Sequence, residues 1–488
     1  MAENASEVQL FVADLTRAES LERPSPAGVN KTFRHYDQHQ QFLVPPSLDD
    51  WLPAEHPARF ISDTVDRALD LSAIYDSYES AAGAPPFAPQ MMLKLLLYGY
   101  STGVTSSRAI ERRCHDDVAL RWLSANTTPD YRSIARFRRR HLHAIEALFT
   151  QVLELCARAG LIKLGRVALD GTKIRAAASR HKAMSYDHLG RRAQELRAEV
   201  DAMLAEAEAI DAAEDEEFGE DRRGDELPPE IATKEGRIKA ILAAKAAIET
   251  EAREKAATEA RAKAEAAGND ADEIERAAEK SADEAVPSGR AQRNFTDPDA
   301  RIMKTADGSF HYCYNAQAVV DEAHQVIIAT SLTQAATDVG QLVTMMDEIA
   351  SELEAADIDG SPRMLLADAG YCSKDNLEAV ADHDIDVLVA TGRVKHNERV
   401  PDAPRGRIPA DATGRERMAR RLRTKTGRAD YARRKAIVEP VFGQMKTRQH
   451  AGALRLRSLE LAQGEWLLHA LCHNLRKLGN AGTVAMAR

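Results

Sequence analysis

No helix of this 488-residue chain is expected to cross a membrane. Its longest apolar stretch, around Met91-Met92-Leu93-Lys94-Leu95-Leu96-Leu97, is short and broken by a lysine. The opening residues Met1-Ala2-Glu3-Asn4-Ala5 have neither the basic region nor the apolar core of a signal peptide. There are only five cysteines (Cys114, Cys156, Cys313, Cys372 and Cys472), widely spaced and with no Cys-x-x-Cys pair. That argues against a structural zinc site and a disulfide framework, and a reducing cytoplasm is the expected compartment. Leucine and isoleucine grow scarce after Ile248, so the charged stretch there lacks the sustained apolar seam of a coiled coil.

Charge is unevenly spread. The net charge of -10 would disfavour a nucleic-acid partner, but residues 191–290 alone carry 16 Lys+Arg against 28 Asp+Glu, which leaves the rest of the chain slightly basic. Residues 391–448 hold 17 basic and 6 acidic side chains, and residues 104–142 hold nine arginines against four acids. Two basic blocks flanking an acidic one fit phosphate contact by particular domains.

The chain divides accordingly. Residues 1–59 read as irregular, because Pro24, Pro26, Pro45, Pro46, Pro53 and Pro57 interrupt any long helix. Residues 60–160 read as a helical domain. Pro89 introduces an apolar helix to about Tyr100, Ser106 and Ser107 can cap the next, and one long helix is expected from Thr128-Pro129-Asp130 to Gly160. Its early turns carry Arg136, Arg138, Arg139 and Arg140, which suits either a helix-turn-helix or a bundle with a solvated basic face. At 100° per residue, Arg136, Arg139 and Arg140 share a side while Arg138 points elsewhere.

Residues 161–480 read as an α/β domain: a strand over 165–175, a hairpin over 310–333, then helix, strand, helix and strand to about Ala390. An acidic, helix-prone insertion at 186–290 interrupts it, expected as a loose helical hairpin or partly disordered segment.

Three carboxylates end apolar segments: Asp170 in Val167-Ala168-Leu169-Asp170-Gly171, Asp368 in Leu365-Leu366-Ala367-Asp368-Ala369-Gly370, and Glu439 in Ile437-Val438-Glu439-Pro440. Any one alone reads more readily as a cap or turn residue. Converging, they would suit two hard divalent cations. In a mostly parallel sheet ligands gather beyond the carboxyl ends of strands, so Asp170 and Asp368 can be neighbours.

These segments, together with Val441-Phe442-Gly443-Gln444-Met445-Lys446, resemble the DDE transposases of bacterial insertion sequences, and the helical region resembles their N-terminal DNA-binding domain. The resemblance implies an α/β RNase H-like catalytic domain with a mixed sheet flanked by helices, beside an all-α N-terminal domain. It implies Asp170, Asp368 and Glu439 as catalytic and metal-binding residues, with two Mg²⁺ as cofactors and Mn²⁺ able to substitute. The family often adds a Tyr, an Arg and a Lys around the last Glu. Lys446 matches the Lys, while Lys435 stands at the usual Arg position with Arg434 and Tyr431 nearby.

The DNA-binding residues expected are therefore Lys446, Lys435, Arg434, Tyr431, Arg136, Arg139 and Arg140, though a solvated surface position is the plain alternative for Lys446. Asn315 and Gln317 read as polar residues of an edge strand, with lining of the cleft through strand alternation as the alternative. The implied partners are transposon ends, target DNA and further copies of the chain, in a bacterial cytoplasm and at the nucleoid when DNA is bound. The rival readings are an RNase H-like nuclease without strand transfer and a non-catalytic DNA-binding derivative.

Overall fold

Eight strands and the helices around them are described by a computed structural model at residues 47–78, 85–178, 183–185, 234–288, 291–294, 296–381, 383–392 and 401–486. The proline-rich opening to residue 46, insertion residues 186–233 and basic residues 393–400 lie outside them.

The central strand is β1 (Arg166–Arg175). On one side it pairs antiparallel with β5 (Phe310–Asp321), Asp170 facing Ala318; on the other it pairs parallel with β7 (Met364–Ala367), Leu169 facing Ala367. Beyond β7 lies β8 (Asp386–Val389), again parallel, while β4 (Arg301–Lys304) and β6 (Ile327–Thr333) both pair antiparallel with β5. The sheet is therefore mixed rather than mostly parallel. A short ribbon of β2 (Ala183–Ser185) and β3 (Gln292–Asn294) stands apart.

The apolar runs seen in the sequence follow from burial of both sheet faces. Ala168, Ala318, Val320, Leu366 and Leu388 face one core, which continues into the helices Pro57–Arg67, Pro89–Thr102, Leu142–Arg158, Lys425–Arg448 and Leu459–Met486. Val167, Leu169, Val319, Leu365, Ala367 and Val387 face the other, closed by Leu342, Met345, Met346 and Ile349 of the helix Leu342–Ala355. The last helix also ties down the open edge of β6: Asn474 Oδ1 accepts from Ile327 N (2.9 Å) and its Nδ2 donates to Ile327 O (2.8 Å).

The arginine-rich segment differs from the single long helix expected. It forms two helices, Tyr131–Arg140 and Leu142–Arg158, broken at His141. The His141 ring is buried against Phe137 (4.5 Å) and Tyr78 (5.6 Å), and its backbone leaves the helical region there. In the insertion, Lys234–Ala266 and Ala271–Asp283 form a helical hairpin joined by the Arg261–Glu275 ion pair (2.6 Å).

Candidate active site

Asp170 lies in the middle of β1, which runs five residues beyond it to Arg175; it does not end the strand. β7 is shorter, so Asp368 follows its last residue and becomes the N-cap of the turn Ala369–Tyr371. The parallel register that sets Leu169 beside Ala367 brings the two acids to neighbouring positions. Asp170 Oδ1 accepts from Gly171 N (2.9 Å), and Asp368 Oδ1 accepts from Gly370 N (2.7 Å).

The third segment comes from the helix Lys425–Arg448, which passes over β1 with Ile437, Val438, Val441, Phe442 and Met445 buried. Pro440 sits inside this helix and cannot donate to Ala436 O one turn back. That carbonyl instead accepts from Gln325 Nε2 at 3.0 Å. Gln325 is presented from the β5–β6 turn with a positive φ of 61°.

Arg434, one of the buried residues of this helix, reaches both acids: Nη1 donates to Asp170 Oδ2 at 3.0 Å, and Nη2 lies 3.9 Å from Glu439 Oε1. Glu439 itself remains half-exposed. Lys435, the residue at the usual Arg position, is exposed. Tyr431 lies one turn before Arg434; burial pushes its hydroxyl up, and the Arg434 charge opposes this.

Lys446 is not a solvated surface residue. It is half-buried, and its Nζ donates to Thr172 Oγ1, two residues along β1 from Asp170.

Burial pushes the Asp170 carboxyl above its usual range, with Asp368 pushing the same way and Arg434 opposing. Burial pushes the Lys446 ammonium down. Burial would also lower Arg434, but the charge and hydrogen bond of Asp170, with the charge of Asp368, outweigh it and hold the guanidinium more firmly protonated. Asp170 and Asp368 form a crowded anionic pair with a cation beside it, the chemistry of a hard-cation site. Among the described residues no three Asp, Glu, His or Cys side chains stand close enough to hold one metal ion. The carboxylates of Asp170, Asp368 and Glu439 are the hard oxygen ligands that a divalent cation takes, and the Arg434 guanidinium lies between Asp170 and Glu439.

Here the sequence pointed to Asn315 and Gln317 but gave no role to Asp338 or Tyr371. Asn315 and Gln317 belong to an inner strand, flanked by β1 and β6, and both are fully buried; the edge-strand reading was wrong. Each donates to Asp338 Oδ1, Asn315 from 2.7 Å and Gln317 from 2.9 Å, and Lys173 Nζ stands 3.6 Å from the same oxygen. Tyr371, also buried, donates to Gln317 Oε1. The one available signal for Asp338 was its place before a helix, which reads simply as a cap.

Of the arginines in Tyr131–Arg140, Arg136, Arg139 and Arg140 are exposed, with Arg140 stacked on the Tyr78 ring (4.7 Å). Arg138 is buried, donating to Tyr100 Oη (2.8 Å) and Thr105 O (3.0 Å).

Comparison with known protein families gives two matches. A family described as Transposase domain (DUF772) matches residues 46–140, and one described as Transposase DDE domain matches residues 288–475. The second spans Asp338, Asp368, Arg434, Glu439 and Lys446; Asp170 falls outside both. Neither a curated protein nor a solved structure matches the chain. Transposases act in DNA transposition and bind DNA to do so, and those with a DDE domain generally use divalent metal ions. The chain belongs to the DDE-type transposases of the insertion-sequence kind.

Proposed function

We propose that this transposase binds the terminal inverted repeats of its element, cuts the DNA strand there and joins the freed end to target DNA, using an RNase H-like catalytic domain. The observation that carries this reading is the meeting of three chain segments: Asp170 within β1, Asp368 just past the end of the adjacent parallel β7, and Arg434 linking Asp170 to Glu439 from the crossing helix. The strand order, with β1 between an antiparallel run and two parallel strands, supports the fold assignment.

In this reading Asp170, Asp368 and Glu439 hold two divalent cations, Mg²⁺ or Mn²⁺, whose chemistry when bound is to activate a water or a 3′-hydroxyl and to stabilise the leaving 3′-oxygen. Without cations, Arg434 neutralises Asp170 and so relieves the repulsion between the paired carboxylates. Lys446, steadied by Thr172 two residues along β1 from Asp170, presents an ammonium for a phosphodiester oxygen, and Tyr431 steadies Arg434. Lys435 faces outward, where it can meet the DNA backbone. The basic stretch ending at these residues supplies affinity that falls with salt.

Domain roles follow: 60–160 recognises the ends with Arg136, Arg139 and Arg140 facing DNA, and 161–480 carries the chemistry, interrupted by the insertion at 186–290. Two ends must be brought together for transposition, so the chain works as a homo-oligomer on DNA.

The test is strand cleavage of DNA bearing the element's own ends, with Mg²⁺ or Mn²⁺. Asp170→Asn, Asp368→Asn and Glu439→Gln should each lower the rate about a thousandfold or more while leaving end binding largely intact, since each removes several kcal/mol of transition-state stabilisation. Near-normal cleavage by one of them would remove that residue from the site. Pre-cleaved ends that are never joined to target DNA would mark a nuclease without strand transfer.

A further inference from the structure

We propose that Asp338 is a positioning residue of the active centre, a fourth carboxylate that fixes the Asp368 turn through Gln317 and Tyr371 and turns its second oxygen toward water around the cations at Asp170 and Asp368. This rests on the reading of the site given above.

The two oxygens of Asp338 have different surroundings. Oδ1 is saturated by Asn315 Nδ2, Gln317 Nε2 and the Lys173 ammonium. Oδ2 has no hydrogen bond among the described residues and faces Gly370: a β-carbon there would lie 3.4 Å from it and 2.9 Å from Asp368 Oδ1. Asp338 and Asp368 thus border the same small space.

Gly171, next to Asp170, opens a second space. A β-carbon there would come within 2.6 Å of Asp338 Oδ1 and 2.5 Å of Gln317 Nε2, so only glycine lets β1 approach. Asn315 Oδ1, fully buried and without a partner among the described residues, lies 3.1 Å from the same point. A buried acceptor without a donor costs free energy unless a water or cation reaches it.

The link to Asp368 is covalent and short. Tyr371 lies three residues after it, and the Tyr371 hydroxyl is held by Gln317, whose amide is in turn held by Asp338. Removing the charge at Asp338 therefore loosens the anchor of the turn that aims Asp368. Outer-shell partners of this kind typically change metal affinity about 10- to 100-fold when lost.

The experiment follows thermal unfolding of the full chain across a Mn²⁺ titration, beside the Mn²⁺ dependence of end cleavage. Asp338→Asn should unfold near the wild-type temperature without metal, yet need about 10- to 100-fold more Mn²⁺ for half of the metal-induced rise and for half-maximal cleavage. Tyr371→Phe, which deletes only the hydroxyl, should move both midpoints the same way. A purely structural role would lower the melting temperature equally at every Mn²⁺ concentration and leave both midpoints in place, which overturns the inference. Asp170→Asn separates the two levels. If the wild type responds to Mn²⁺, Asp170→Asn does not, and Asp338→Asn matches the wild type, this inference alone falls. If the wild type shows no response either, the reading of the site falls with it.

Discussion

Glu352 shows how one side chain can carry a pH dependence that its sequence neighbourhood conceals. It lies on the helix Leu342–Ala355, accepts from Thr150 Oγ1 (3.2 Å), and is raised to about 7, chiefly by burial and further by Glu348 and Glu146. Because its folded value lies above the ordinary 4.5, the folded state holds its proton more tightly than the unfolded chain. Stability is therefore undiminished below about pH 4.5 and is lost as pH rises toward 7. Glu352→Gln should stabilise the protein at pH 8 by about 1–2 kcal/mol, a figure discounted for partial solvation, with no gain at pH 4. Denaturant midpoints at the two pH values check this, and an equal effect at both would discard the burial argument. The same scale separates Arg434 from Lys435. One position along a helix turns a side chain by 100°, enough to bury the first against Asp170 and leave the second in solvent.

At the scale of the element, the helix Tyr131–Arg140 combines two uses of arginine. Asp130 caps it, accepting from Ser133 N at 2.9 Å, and three arginines crowd its last turn. Arg138 turns inward to Tyr100, whose hydroxyl donates to Glu465 Oε1 (2.9 Å) on the last helix. Glu465 Oε2 accepts from Arg455 N (2.7 Å) and Leu456 N (2.8 Å). This buried chain stitches the arginine-rich helix to the helix covering the sheet. Arg138→Ala should therefore cost about 3–5 kcal/mol, because it strips a charged partner from a buried network. Arg136→Ala with Arg139→Ala should leave stability within about 0.5 kcal/mol but weaken DNA binding and flatten its salt dependence. Denaturation together with binding titrations at several salt concentrations distinguishes them. Full stability of Arg138→Ala, or unchanged DNA affinity of the double variant, would contradict the respective claim.

At the scale of the whole molecule, the described part of the charged insertion meets the sheet through ion pairs and a short apolar contact. Glu251 of its first helix reaches Arg293 on β3 (3.2 Å) and Arg301 on β4 (3.6 Å), and Ala244 and Ile248 are buried. Exposed ion pairs contribute roughly 0–1 kcal/mol each. Replacing residues 190–288 with a flexible linker should leave a soluble, cooperatively folding protein, read by circular dichroism and thermal unfolding. Loss of cooperative unfolding would mean that the hairpin is part of the core; a folded protein that no longer cuts DNA would tie the insertion to DNA contact or assembly.

The sequence by itself determined the apolar strands around Leu169, Val319 and Leu366, the helix carrying Glu439, the acidic insertion and the family resemblance. Each is a local pattern, set by periodicity, composition or a short motif. The tertiary structure decided whatever depends on distant residues meeting. The unequal lengths of β1 and β7 put Asp170 in mid-strand while Asp368 follows a strand end. Burial against Phe137 and Tyr78 broke the expected long helix at His141. Pairing with β1 and β6 moved Asn315 and Gln317 from an imagined edge to the interior, where Asp338 collects them. Packing of the helix over β1 selected Arg434, and not Lys435, to reach the acids, because which face of a helix is buried depends on what lies beneath it.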